Sequence, residues 1–339
     1  MSASARAIVI DRPGEHRLVS GPQAEPGPGE ARVTVHTAGV SRSDRELYDG
    51  TRPPALVRYP VIPGHEWSGT VDAVGEGAPP ELLGRKVVAE GFRACLVCDR
   101  CREGAGNLCT RGYEETGFTR PGAFGDSLLV PARLLHVLAD CADLRAAALL
   151  APAAVSAAAV LAGVPRPGDR IAVVGAGTLG LLALQLLAAC SPAELVAIDP
   201  RVQRCERALR MGATQAGPPG ENSVSYGRFD LVVEAAGAFS AAQEACLLVR
   251  RGGRVVLTGM FGPGAEGIDP EHLVEGQLTV RAVFGAPPSA WSHAVRAWEA
   301  GFLDPVPLIT HELPLTAFGE AMALVGSEDP AVGKVLLTP

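Results

Sequence analysis

The chain has no basic stripe. Its 30 lysines and arginines stand against 37 acids over 339 residues, a net charge of −7, and no run gathers the positive ones together. Clustered cations are the footprint of a phosphate-backbone partner, so their lack argues against nucleic acid. A long apolar core is also missing from MSASARAIVI, the first ten residues, so no signal peptide is expected and the protein is read as cytoplasmic. The one extended apolar run, residues 146–164, is mostly alanine and contains Pro152 and Ser156. It reads as a buried helix, and no membrane partner is expected. Internal repeats and low-complexity tails are lacking too. Without a secretion signal, eight cysteines point to a reducing compartment and to metal binding rather than to disulfides.

What is present is enough chain for two domains with full cores, at 47% hydrophobic residues. Up to about residue 140 the sequence reads as short strands (7–10, 31–36, 69–74, 86–89 and 127–130) punctuated by Gly and Pro, with little helical periodicity. That is the pattern of a mostly β, partly barrel-like domain. From about Pro152 helix and strand alternate, with strands expected over 171–174, 195–198, 231–234, 254–258 and 279–284. Such alternation implies an α/β, doubly wound parallel sheet. A surface loop is expected over 217–227, a helix over 291–300, and a last strand over 334–337 that returns to the first domain.

The centre of the second domain is a glycine turn, Gly175-Ala176-Gly177-Thr178-Leu179-Gly180, between a β-branched strand and an apolar helix. A second strand follows and ends at Asp199. In such a unit the first glycine permits the turn, the second lets backbone approach a pyrophosphate, and the third allows helix to pack on strand. The helix N-terminus offers unpaired N–H groups to phosphate. Asp199 stands where a carboxylate accepts both ribose hydroxyls, which favours NAD over NADP; Arg201 and Arg204 are nearby cations that would suit a 2′-phosphate.

A second cluster, Cys95, Cys98, Cys101 and Cys109, has the spacing C-x2-C-x2-C-x7-C. Four thiolates suit a closed tetrahedral zinc, a structural site with no position left for water. Cys141, Cys190, Cys205 and Cys246 are isolated in apolar or helical contexts and read as free thiols.

Together the four-cysteine lobe, Gly64-His65-Glu66-Trp67-Ser68-Gly69, Pro167-Gly168-Asp169, the glycine turn and the closing Gly333-Lys334-Val335 resemble the zinc-containing medium-chain alcohol dehydrogenases along essentially the whole chain. The polyol, threonine and aminocyclitol dehydrogenase branch is the most similar. The resemblance implies a GroES-like catalytic domain over 1–151 and 288–339, carrying the zinc lobe at about 90–112, and a Rossmann domain over 152–287. It further implies NAD or NADP as coenzyme, one structural zinc, a small-molecule substrate, and a homodimer or homotetramer.

One part of the family pattern is broken. Members hold a second, catalytic zinc through a Cys, a His and a third Cys or Glu. The matching positions here are Ser41, His65 and Ala151. A serine hydroxyl is a poor zinc ligand and alanine is none, so a catalytic zinc is not expected unless His65, Glu66 and Asp44 rebuild a site. Other positions match: Ser43 the hydroxyl that relays the substrate proton, Asp44 the carboxylate that orients the histidine, Arg42 a cation near the pyrophosphate. Without zinc, Ser41 and Ser43 are hydrogen-bond donors for an oxyanion, and His65 is a titratable acid–base group whose pKa Asp44 should raise, with Glu66 a second candidate. The resulting expectation is a ketone reductase or secondary-alcohol dehydrogenase without catalytic zinc. The alternatives are a reductase of an activated C=C or C=N bond and a non-catalytic nucleotide-binding protein. Near the family's pocket lie Tyr48, Tyr59, Glu66, Glu90, Phe92 and Glu115. Their carboxylates suggest a polar substrate such as a polyol, an aminosugar or an aminocyclitol.

Overall fold

The computed structural model describes residues 4–220, 226–262, 264–327 and 329–339, and these form two compact units. The first seven strands are β1 (Ser4–Arg12), β2 (Glu15–Pro22), β3 (Glu30–Val40), β4 (Glu66–Val74), β5 (Lys86–Ala89), β6 (Ser127–Pro131) and β7 (Leu135–Val137). Next come β8 (Arg170–Val174), β9 (Glu194–Ile198), β10 (Gln215–Gly217), β11 (Phe229–Glu234), β12 (Val249–Leu257) and β13 (Thr279–Ala282), and last β14 (Ile309–Pro314) and β15 (Lys334–Thr338).

One unit comprises Met1–Ala151 and Pro305–Pro339. Its main sheet has the order β14-β15-β3-β4-β5-β7, with β6 paired to β3, and β1–β2 form a separate hairpin. Alternation of side chains sets the faces: along β3 Ala31, Val33 and Val35 point into a core shared with Trp67, Val71, Val87, Phe118, Phe124 and Val335. The last strand does return to this unit, antiparallel to β3 and parallel to β14. The register places Gly39 opposite Glu66 and Val335 opposite Val40. The end of β3 and the starts of β4 and β15 therefore meet at one end of the sheet. Gly39 keeps that meeting point open, since a Cβ there would lie 2.6 Å from Glu66 Oε2 and 2.7 Å from Lys334 Cε.

The other unit, Pro152–Asp304, is a six-stranded parallel sheet of order β10-β9-β8-β11-β12-β13. Numbered within the unit this is 3-2-1-4-5-6, the order of a doubly wound dinucleotide-binding sheet, with its reversal between β8 and β11. Buried strands such as β9, with all five residues inside, explain why the sequence shows apolar runs here instead of alternation. The alanine-rich run becomes the helix Leu150–Gly163, in which Ala153, Ala154, Ala157 and Ala159 have no exposed surface. Pro152 lies in its first turn, where a missing N–H breaks no helical bond. The helix Pro288–Glu299 belongs to this unit, so the division expected at 287/288 falls instead at 304/305. Gln185 fixes the end of that segment, accepting from the Asp304 N–H at 2.6 Å and donating to its carbonyl at 3.0 Å. Of the loop expected over 217–227, residues 221–225 lie outside the described residues.

Candidate active site and metal centre

β3 ends at Val40, and the helix Arg42–Asp49 begins two residues later with Ser41 as its N-cap. The cap is reciprocal: Ser41 Oγ accepts the Asp44 N–H at 3.2 Å, while Asp44 Oδ2 accepts from the Ser41 N–H at 2.9 Å and from its hydroxyl at 2.7 Å. Asp44, 1% exposed, is thereby held with its other oxygen, Oδ1, 3.4 Å from His65 Nδ1. His65 immediately precedes β4, whose first residue is Glu66. Its Nε2 is 3.9 Å from Glu66 Oε1, and Glu66 Oε2 is in contact with the Lys334 ammonium, both side chains being buried. Ser43 is half-buried in the first helical turn, and Arg42 is exposed and paired with Glu46 at 3.1 Å. Burial favours the neutral imidazole, but Asp44, with Glu66 and Glu115 behind it, outweighs burial and raises the His65 pKa. Burial likewise works against the Asp44 carboxylate, yet His65 and Ser41 hold it below the usual range.

Around Glu115 the structure adds Arg52, Tyr113 and Phe118, which sequence reasoning passed over. Phe118 packs against the His65 ring with centroids 4.7 Å apart, and the Arg52 guanidinium lies 3.8 Å over the same phenyl ring. Arg52 reaches Tyr113 Oη at 3.0 Å and Glu115 Oε2 at 3.5 Å, and the Tyr113 hydroxyl donates to that carboxylate. Gly117 lets this loop close on the histidine, since a Cβ there would be 3.0 Å from His65 N. No local pattern marks Arg52, because its partners come from a loop some sixty residues on.

These contacts correct two expectations. The Ser41 hydroxyl is not available to an oxyanion, because its proton is given to Asp44. The acids that suggested an amino-bearing substrate already have internal partners: Glu66 has Lys334, Glu115 has Arg52, and Glu90 has His136 Nε2 at 3.3 Å.

In the second unit Gly175 has φ +92°, and a Cβ on it would strike Ala236 N at 2.7 Å. A Cβ on Gly180 would lie 1.8 Å from the Gly175 carbonyl oxygen, so helix and turn touch backbone to backbone. Gly177, the N-cap of the helix Thr178–Ala188, has open space where its Cβ would be, with only Arg204 Nη1 at 3.7 Å. Thr178 and Leu179 open that helix, so unpaired N–H groups line a cradle that fits a pyrophosphate. Asp199 caps β9, accepting from the Ala176 N–H at 2.9 Å and the Arg201 N–H at 3.0 Å, with Arg204 Nη1 3.7 Å away.

The sulfur atoms of Cys95, Cys98, Cys101 and Cys109 lie within 4.8 Å of one another, with Cys98–Cys101 at 3.4 Å and Cys95–Cys101 at 3.8 Å. Tetrahedral zinc with Zn–S bonds of about 2.3 Å needs sulfurs about 3.8 Å apart, so the set fits that metal. Backbone N–H groups of Thr110 and Cys101 draw the Cys98 thiol down, while burial and the neighbouring thiols push Cys101 up, so in the metal-free lobe the sulfurs share protons among themselves. Among the described residues this is the one group of three or more His, Cys, Asp or Glu side chains whose donor atoms converge. No helix of the described residues is long and apolar enough to cross a membrane.

Two family models match the chain: the alcohol dehydrogenase GroES-like domain over residues 27–140 and the zinc-binding dehydrogenase over 178–300. Erythritol/L-threitol dehydrogenase of Mycolicibacterium smegmatis is 30% identical, covering 98% of this chain and 97% of its own. Sorbitol dehydrogenase of Halalkalibacterium halodurans is 27% identical over 96% of each. Among solved structures, an Escherichia coli CFT073 alcohol dehydrogenase (rspB) complexed with NADH superimposes with a TM-score of 0.92 at 26% identity, covering 99% of both chains.

Proposed function

Since the chain belongs to the medium-chain, zinc-binding alcohol dehydrogenase family, we propose that it interconverts a secondary alcohol and a ketone of the polyol class with a nicotinamide coenzyme, using His65 and Asp44 as the acid–base pair in place of a catalytic zinc. One observation carries the reading: the half-buried His65 pairs with the buried Asp44, while the positions that match the family's other two zinc donors hold Ser41 and Ala151. The donors left do not suit a metal. Ser41 is spent on Asp44, and Lys334 occupies Glu66. Zinc, a thiolate and a carboxylate sum to zero charge, so their joint loss leaves the net charge of the site unchanged.

The bound coenzyme supplies the hydride chemistry. His65 supplies the proton. Asp44 faces Nδ1 and stabilises the imidazolium, leaving Nε2 to exchange a proton with the substrate oxygen. Ser41 acts by fixing Asp44, and Ser43 remains the hydroxyl that relays the proton. Glu66 is buried in contact with Lys334 and ranks below His65 as the proton donor.

For the coenzyme, Gly175, Gly177, Thr178, Leu179 and Gly180 take the pyrophosphate and Asp199 takes the ribose. NAD(H) is preferred, because Arg204 sits against Asp199 and is not held out for a 2′-phosphate. The polyol class rests on the family branch and on the two dehydrogenases named above. The carboxylates give no separate support for an amino group, since each already has a partner within the protein.

Turnover of NADH and NADPH with ketones, activated alkenes and imines, and of NAD with polyols, tests the proposal. Ketone reduction that His65→Gln loses supports it. Turnover of alkenes or imines alone would identify the C=C or C=N reductase, and coenzyme binding without any turnover the nucleotide-binding protein.

A further inference from the structure

We propose that Arg52, Glu115 and Phe118 form a positioning group for His65, fixing the orientation of its ring and the charge it feels without touching substrate. This rests on the reading of His65 as the acid–base residue.

Phe118 is 1% exposed and makes the only ring contact of His65 among the described residues. The same ring carries the Arg52 guanidinium at 3.8 Å. The imidazole is therefore one phenyl ring away from a cation that is itself 8% exposed. That cation is poorly served for a core residue. Its contact with Glu115 Oε2 is long, at 3.5 Å, and its Nε has no hydrogen-bond partner. An apolar side chain would pack at this position without an unpaired donor, so stability alone does not account for an arginine.

Charge explains it better. The groups facing His65 are Asp44 from the helix Arg42–Asp49, Glu66 from β4 with Lys334 from β15, and Glu115 with Arg52. When His65 is protonated, three buried acids meet three buried cations. When it is neutral, one negative charge is left over among side chains that are mostly buried, and the imidazole is under pressure to regain its proton. Asp44 and Glu66 are each held firmly, by Ser41 and by Lys334. Glu115 accepts from the Tyr113 hydroxyl and meets Arg52 only at 3.5 Å. Burial pushes its carboxyl up to about 7, against the pull of His65 and Arg52, so its charge varies over the range in which His65 works.

The test reads the His65 ring by NMR in the full-length, zinc-loaded protein without coenzyme or substrate, its resonances assigned with His65→Gln. Glu115→Gln removes an anion and should lower the His65 midpoint by about half a unit or more. Glu115→Asp should restore it. The kcat for reduction near neutral pH should fall several-fold in Glu115→Gln while the coenzyme KM stays the same. Phe118→Leu removes the stack but no charge, so kcat should fall with the midpoint unmoved. A folded Glu115→Gln protein whose His65 titrates at the wild-type midpoint overturns the proposal. Should that variant fail to fold, Tyr113→Phe is read in its place. It removes one hydrogen bond to the carboxylate, raises the Glu115 pKa, and should move the His65 midpoint down; an unmoved midpoint again overturns the proposal. Failure of the acid–base reading would look different: His65→Gln would be fully active while His65 remained coupled to Glu115.

Discussion

At His65 two opposed effects meet, and their balance fixes how the residue works. Burial disfavours the imidazolium, whereas Asp44 at 3.4 Å favours it, and the carboxylate wins. A folded pKa above the ordinary 6.5 leaves His65 largely protonated below neutral pH. Ketone reduction, which needs the proton, should then be faster on the acid side. Alcohol oxidation, which needs the base, should be faster on the alkaline side. Initial rates in both directions across pH check this, and a shared inflection is expected. His65→Gln should keep the fold, the lobe zinc and NADH binding, and cost on the order of 10²-fold or more in kcat. Asp199→Ala should weaken NADH binding, measured by fluorescence titration, without altering the fold. An NADPH kcat/KM about tenfold above that for NADH would show that Arg204 serves a 2′-phosphate after all. The Ser41, Asp44 and His65 positions were legible because family motifs align on them. Lys334 was visible only as a closing motif: its pairing with Glu66 depends on β15 lying antiparallel to β3, which no local pattern specifies.

Among the elements, the helix Arg42–Asp49 shows how much one cap can carry. Ser41 and Asp44 form a capping box that starts the helix and aims a carboxylate at the histidine in the same act. The spacing S-x-x-D was there to be read as a helix start, yet the scarcity of helical periodicity around it hid an eight-residue helix. Strands were legible where β-branched runs were long. β10, three residues long, and β14, half-exposed along its length, were not, because neither buries enough apolar surface to leave a pattern. The cysteine lobe was fully legible from spacing. Its metal supports folding and not chemistry, so Cys98→Ser should lose the zinc and lower the thermal midpoint while the remaining folded protein keeps its kcat. Zinc content, calorimetry and activity on the same sample check all three. A variant that keeps its midpoint but loses activity would move the chemistry into the lobe.

For the molecule as a whole, the change from punctuated strands to alternating helix and strand comes near residue 152, where one compact unit gives way to the other. The second boundary was misread by a helix, since nothing in 288–304 reveals that Gln185 ties the segment to the parallel sheet. Both the cysteine lobe and the His65–Asp44 pair lie in the unit that comprises Met1–Ala151 and Pro305–Pro339. The four sulfurs of the lobe converge on a site for one zinc, and the proposal puts the half-buried His65 with the buried Asp44 in the place of a second. A chelator strong enough to strip loosely held metal should therefore leave short-term activity untouched. The most direct measurement is the zinc content of the active, purified protein by elemental analysis, paired with activity before and after chelation. One zinc per chain with full activity is the predicted result. Two tightly bound zincs per chain, with activity lost at once when the first is removed and the fold intact, would contradict it.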